Sequence, residues 1–253
     1  MRLAVRLTLI AFCFYASACL ALFLFQRSLI YAPRPAAHDA AGTTLSLRVP
    51  DAELVVSTRP HDGRKALIYF GGNAEDVSAS LMSFADAFPE YAIYLLHYRG
   101  YGGSTGTPNE EALSADALAL FDRVHADHPD IAVIGRSLGS GVAARLASRR
   151  PVGRLILVTP FDSVVGIAAD LFPYFPVRWI LTDRYESSRY APDIHAPTLV
   201  LQAEHDEVIP AASTERLVAA FDRKTIRRVV IPGVGHNDIS MSDQYLGQMR
   251  SVL

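Results

Sequence analysis

The sequence predicts a doubly wound α/β domain, with a mostly parallel sheet and helices on both faces, and three observations carry that prediction. Short, nearly continuous apolar runs alternate with stretches of helical period, as they do where strands are joined by crossover helices. Two runs ahead of them alternate apolar with polar residues, the pattern of strands at a sheet edge. One apolar run passes directly into Gly135-Arg136-Ser137-Leu138-Gly139 and then into a helix of small residues. With 50% hydrophobic and 20% charged residues among 253, the chain has material for one substantial core.

The N-terminus stands apart. Leu7 to Phe25 reads LTLIAFCFYASACLALFLF, uncharged and about as long as a hydrocarbon core is thick. A cleaved signal peptide would use Arg2 and Arg6 as its basic region and Ala16-Ser17-Ala18 as its cleavage site. A lipoprotein would carry its lipid on Cys19. Both leave the apolar Leu20–Phe25 as a new N-terminus in water, so an uncleaved transmembrane signal anchor over residues 1–27 is the preferred reading. A linker follows over 28–43, with Tyr31, Pro33 and Pro35, and a chain starting near Pro33 is expected to be soluble and active. Arg2 and Arg6 precede the segment while Arg27 and Arg34 follow it, a weak bias placing the catalytic domain on the extracytoplasmic side of a single-pass protein.

Residues 44–253 are expected to form the catalytic domain. Leu45–Val49 and Glu53–Thr58 read as an antiparallel edge pair. Ala66–Phe70, Ala92–Leu96, Ile131–Ile134, Leu155–Val158 and Thr198–Leu201 read as strands buried on both faces, and Arg228–Ile231 adds one more. Helical patterns fill Val77–Phe88, Glu110–His128, Ser140–Arg149, Ala211–Phe221 and Asp243–Leu253, with Glu110 and Glu111 in a first turn where the helix dipole favours acids. Pro160–Tyr190 breaks the rhythm. It is long, rich in proline and aromatics, and placed as a small cap insert over the site, its Phe172, Phe175 and Trp179 either lining a pocket or packing the cap onto the body.

A glycine two residues either side of Ser137 admits a sharp, strained turn that presents the hydroxyl, which makes Ser137 the candidate nucleophile. Such a serine needs a base, and the base an orienting carboxylate. Downstream histidines are His195, His205 and His236. His195 precedes a strand, the wrong end of a parallel sheet. His236 sits in a glycine-rich turn after the last strand and Asp206 follows Thr198–Leu201, so Asp206 is the expected acid and His236 the base, with Glu204 the runner-up acid. Backbone N–H donors for a developing oxyanion are expected from Leu138 and, in the loop Gly71-Gly72-Asn73-Ala74, from Asn73 first or Gly72 second. A plain glycine-rich turn is the competing reading of that loop.

These motifs resemble the α/β-hydrolase superfamily, and within it the membrane-anchored serine hydrolases related to protein depalmitoylases and bacterial serine-aminopeptidase-like hydrolases. The resemblance runs from about Phe25 to Gly247. It rests on Phe25-Gln26-Arg27-Ser28-Leu29-Ile30-Tyr31, Gly71-Gly72-Asn73-Ala74-Glu75-Asp76, Tyr98-Arg99-Gly100-Tyr101-Gly102-Gly103-Ser104, the Ser137 elbow, Asp206-Glu207-Val208-Ile209-Pro210 and Gly235-His236. It implies an α/β-hydrolase fold. Two positions depart from it: His97 stands where an Asp is usual, and Gly71 where a His is usual. His97 is expected to be structural.

The expected function is hydrolysis of carboxylic esters or thioesters on a small-molecule or acylated substrate. A peptidase or amidase using the same triad is the alternative, and a non-catalytic module with the same fold the outlying one. No Cys-x-x-Cys or His-Glu-x-x-His pattern calls for a metal, and no cofactor is expected. A net charge of −2 gives no surface for nucleic acid, and the cluster Arg223, Lys224, Arg227, Arg228 reads as a solvated helix end and strand edge.

Overall fold

The structure is a computed structural model describing residues 1–36 and 44–253, so the second half of the expected linker lies outside the described residues. A helix α1 (Arg2–Ile30) comes first. Eight strands then form one sheet: β1 (Thr44–Val49), β2 (Ala52–Arg59), β3 (Lys65–Phe70), β4 (Ala92–Leu96), β5 (Asp130–Arg136), β6 (Arg154–Val158), β7 (Thr198–Ala203) and β8 (Ile226–Ile231). Their order is β1-β2-β4-β3-β5-β6-β7-β8, with β1 and β2 antiparallel and β4 to β8 parallel. This is the α/β-hydrolase fold expected above. Each predicted strand is present, some with a residue or two more at an end.

Buried on both faces, β3 divides its side chains between two cores. Ala66, Ile68 and Phe70 join one, against α3 (Glu110–His125), α4 (Leu138–Ala147) and α8 (Ala211–Ala220). Leu67 and Tyr69 join the other, against α2 (Leu81–Ala87) and α9 (Asp243–Arg250). The alternation is the two-residue period of a pleated strand, and it explains why these segments read as continuous apolar runs.

Helices expected at Val77–Phe88 and Glu110–His128 both stop earlier. The first opens as a 3₁₀ turn over Val77–Ser80, where the Asp76 carboxylate accepts from both Ser78 N and Oγ, and α2 ends before Phe88-Pro89. The second ends at His125, ahead of His128-Pro129. A residue preceding proline is pushed out of the helical region.

The Pro160–Tyr190 insert folds as α5 (Val164–Leu171), α6 (Val177–Ile180) and α7 (Ser187–Tyr190). Buried Glu110 pins its return, accepting from the N–H groups of Arg184 and Tyr185 at 2.6 and 3.0 Å. Burial raises the Glu110 carboxyl above the usual carboxylate range. Asp162, bound to Ser213 Oγ and the Arg216 guanidinium, pins its departure.

α1 is long and apolar enough to cross a membrane, but it is more than a leash. The helix continues three residues past the expected boundary at 27. Its last turns are bonded into the insert and the loop after β3: Gln26 Oε1 accepts from Thr182 N at 2.7 Å, Arg27 pairs with buried Asp183 at 3.2 Å, and Asn73 Nδ2 donates to Ile30 O. Tyr31, also buried, donates to Asp183 Oδ2 at 3.0 Å and lies 2.8 Å from the Tyr185 hydroxyl. Removing the first 32 residues would leave these groups without their partners. Tyr31→Phe should cost about 1–3 kcal/mol, the usual penalty for orphaned buried partners. In detergent that would lower the melting midpoint by about 2–4 °C per kcal/mol; an unchanged midpoint would show that the junction carries no stability.

Candidate active site

All four loops that matter leave the C-terminal ends of parallel strands β3, β5, β7 and β8, so parallel register alone brings them to one sheet edge. Between β5 and α4, Ser137 has φ 50° and ψ −119°, a left-handed conformation costly for a residue with a side chain. Its neighbours make the turn possible. A Cβ on Gly135 would lie 2.6 Å from Ala143 Cβ, and one on Gly139 would lie 2.6 Å from Gly71 O while colliding with Phe70 O of β3. The Ser137 N–H is spent on Val158 O.

From the loop after β8, buried His236 reaches Ser137 Oγ with Nε2 at 3.0 Å, and its Nδ1 lies 3.0 Å from both carboxylate oxygens of Asp206. Asp206 is itself aimed, because Oδ1 accepts from Val208 N and Ile209 N at 3.0 and 2.7 Å. With an anionic carboxylate on Nδ1, the favoured neutral tautomer carries its proton there and leaves Nε2 as acceptor for the serine hydroxyl. Glu204 does not face the ring; it accepts from Gly233 N at 2.8 Å. His205 and His195 are likewise outside this constellation, His205 N serving to tie the loop to Val234 O.

The three expected oxyanion donors do not all fare alike. Among the described residues, neither Asn73 N nor Leu138 N has a hydrogen-bond acceptor, and both residues line a cavity with Ser137. Asn73 is held by its carbonyl, which accepts from Ala32 N and the Tyr101 hydroxyl. Gly72 is a correction: its N–H donates to Glu75 Oε2 at 2.8 Å and is not free for substrate. His97 is buried and meets Ser57 Oγ at 2.8 Å, on β2 and away from Ser137. Burial depresses its imidazole below the usual range, which favours the neutral ring.

Sequence reasoning missed the group that joins these loops. Glu75 accepts from Gly72 N, from the Tyr69 hydroxyl at 2.6 Å and from Arg136 at 3.4 Å, and Arg136 in turn donates to His236 O and Asn237 O. One ion pair therefore ties the oxyanion loop to the histidine loop. The signal was present, since Arg136 is the variable position of the elbow and Glu75 lies in the quoted loop motif, but nothing local links residues 61 apart. Glu75→Ala should lower kcat by about 10–100-fold, the scale of a misplaced reacting group, with KM changed far less. A kcat within twofold of the parent would leave the pair structural.

The cavity beside Ser137 has a volume of about 310 Å³. Its walls are apolar: Phe161, Val164, Ile167, Leu171 and Phe172 from the insert, Val208 and Ile209 from the Asp206 loop, and Leu22, Leu29 and Ile30 from α1. Phe172 thus lines it as one expectation had it. Trp179 does neither of the two things expected, being 90% exposed.

Comparison with known proteins bears on the fold and family. A family model described as alpha/beta hydrolase fold matches residues 65–184. A Mycobacterium tuberculosis protein of uncharacterized function, Rv2307c, is 37% identical over 86% of this chain and 83% of its own length. Protein bem46 of Schizosaccharomyces pombe is 26% identical over 88% and 84%. The lysophosphatidylserine lipase ABHD12 of Mus musculus is 37% identical over 62% of this chain, but this covers only 45% of the lipase. Among solved structures, the Pyrococcus furiosus esterase Pf2001 superposes with a TM-score of 0.70 over 88% of this chain and 98% of its own, at 15% identity.

Proposed function

The chain belongs to the α/β-hydrolase family and is a hydrolase of that fold, and from this premise we propose that it cleaves carboxylic esters or thioesters through an acyl-enzyme on Ser137. The observation that carries this reading is the chain of contacts from Asp206 through His236 to Ser137, each 3.0 Å long. His236 Nε2 takes the hydroxyl proton as Oγ attacks the acyl carbon. The carbonyl oxygen becomes an oxyanion facing the N–H groups of Leu138 and Asn73. Collapse breaks the bond to the leaving alkoxide or thiolate, which takes the proton from His236. Water then repeats the sequence: it gives a proton to His236, attacks the acyl-enzyme, and releases the acid while Oγ recovers its proton. The apolar cavity favours an acyl chain over a polar peptide, because ligand sites match their lining. The similarity to an esterase fold and to a lipase points the same way. By the charge bias and α1, the enzyme is a single-pass membrane protein with this domain outside the cytoplasm.

A fluorophosphonate probe and a series of p-nitrophenyl esters test the reading. Labelling should occur at Ser137, and kcat/KM should rise about fourfold per methylene over the first carbons, the equivalent of about 0.8 kcal/mol each. A flat profile would count against an acyl pocket. Faster cleavage of aminoacyl amides than of any ester would put the peptidase reading first.

A further inference from the structure

We infer that the turn between α5 and α6 is submerged in the lipid bilayer alongside α1, so that the cavity beside Ser137 opens to the hydrocarbon region and takes acyl chains directly from the membrane. The inference rests on α1 as a membrane span and, for the identity of the cargo, on the hydrolase reading above.

Levels along α1 set the geometry. Near its end, Gln26 donates to Ile180 O and Arg27 pairs with Asp183, polar contacts that belong at the headgroups or in water. Eleven residues before Gln26, the Tyr15 hydroxyl donates to Tyr174 O at 2.8 Å and its ring stacks on Phe175, centroids 5.7 Å apart. At about 1.5 Å per residue, the turn reaches about 16 Å down the helix from the Gln26 level. Were the turn kept outside the hydrocarbon, only Arg2–Phe14 would remain to cross. That is about 20 Å of helix, with two arginines in it, for a layer about 30 Å thick. A spanning α1 therefore carries the turn in with it.

The surface of the turn suits that place. Leu171, Tyr174 and Trp179 are 68%, 85% and 90% exposed, and Phe172 is also exposed, an apolar edge continuous with the bare face of α1. Trp179 and exposed Arg178 lie in α6, whose Ile180 meets Gln26, and so sit near the headgroups where such residues anchor. Tyr174 lies deeper. Leu171, Phe172 and Leu29 are at once exposed and part of the cavity lining, which makes them its rim. The opening and the membrane-facing edge are thus the same surface. An amphiphile whose chain lies in the bilayer reaches Ser137 without crossing water.

Trp179 is the only tryptophan, so the unmodified full-length chain reports its own depth. In phosphatidylcholine vesicles its fluorescence should be quenched by lipids brominated on the acyl chain and resist aqueous iodide. Quenching by iodide with no response to brominated lipid would overturn the proposal, whatever the enzyme hydrolyses. A second arm uses Tyr174→Ser combined with Trp179→Ser, neither of which lines the cavity. Hydrolysis of a short soluble ester should stay within about twofold, while hydrolysis of a long-chain ester embedded in vesicles falls at least about fivefold. Unimpaired hydrolysis of the embedded ester would also overturn the proposal. If Ser137 supports no ester hydrolysis at all, the catalytic reading fails while the fluorescence still decides the depth.

Discussion

Replacing Ser137 with alanine should reduce ester hydrolysis by about 10⁴–10⁶-fold and abolish fluorophosphonate labelling, the scale seen when a triad nucleophile is removed. Its hydroxyl touches only His236 among the described residues, and the two glycines that shape the turn are untouched. The variant should therefore keep its melting midpoint, because it removes one hydrogen bond at the edge of an open cavity. Activity, labelling and a thermal melt on the same preparation separate loss of chemistry from loss of fold. Retained labelling of a folded Ser137→Ala protein would overturn the nucleophile.

The second large effect is expected at Asp206. In Asp206→Asn the amide can still accept from Val208 N and Ile209 N, so the loop should hold. What changes is the face toward His236. An amide N–H₂ turned to Nδ1 makes that nitrogen an acceptor and puts the proton on Nε2, where it cannot take one from Ser137. The imidazolium of the transition state also loses its counter-charge. Turnover near pH 7 should fall about 10⁴-fold. Glu204→Gln, by contrast, touches the Gly233 turn and exposed His205, neither of them in the triad, and should leave kcat within about threefold. Near-normal turnover in Asp206→Asn with collapse in Glu204→Gln would reverse the two assignments.

Much of this was legible before any coordinates. A strand buried on both faces must be apolar along its length, so β3 to β7 announced themselves and, through them, the sheet edge where Ser137, Asp206 and His236 meet. The strained elbow announced itself as well, since only glycine fits at 135 and 139. Helix ends were read less well where a proline lay just beyond them, as at Pro89 and Pro129, because periodicity persists past the point where the backbone must turn.

Side-chain partnership across the fold was not legible. Gly72 and Asn73 are adjacent and both are small-loop residues, yet one N–H is taken by Glu75 and the other faces no acceptor among the described residues. Exposed Trp179 reads in sequence like any core aromatic. The sequence by itself determined the strand set, the sharp turn at Ser137 and an apolar N-terminal helix, because backbone sterics, two-residue periodicity and long uncharged runs are local. Only the tertiary structure decided that Glu75 and Arg136 join two loops and that α1 forms a wall of the cavity. Those outcomes depend on which of many chemically equivalent groups are brought within 3 Å, and that is settled by how the whole chain packs.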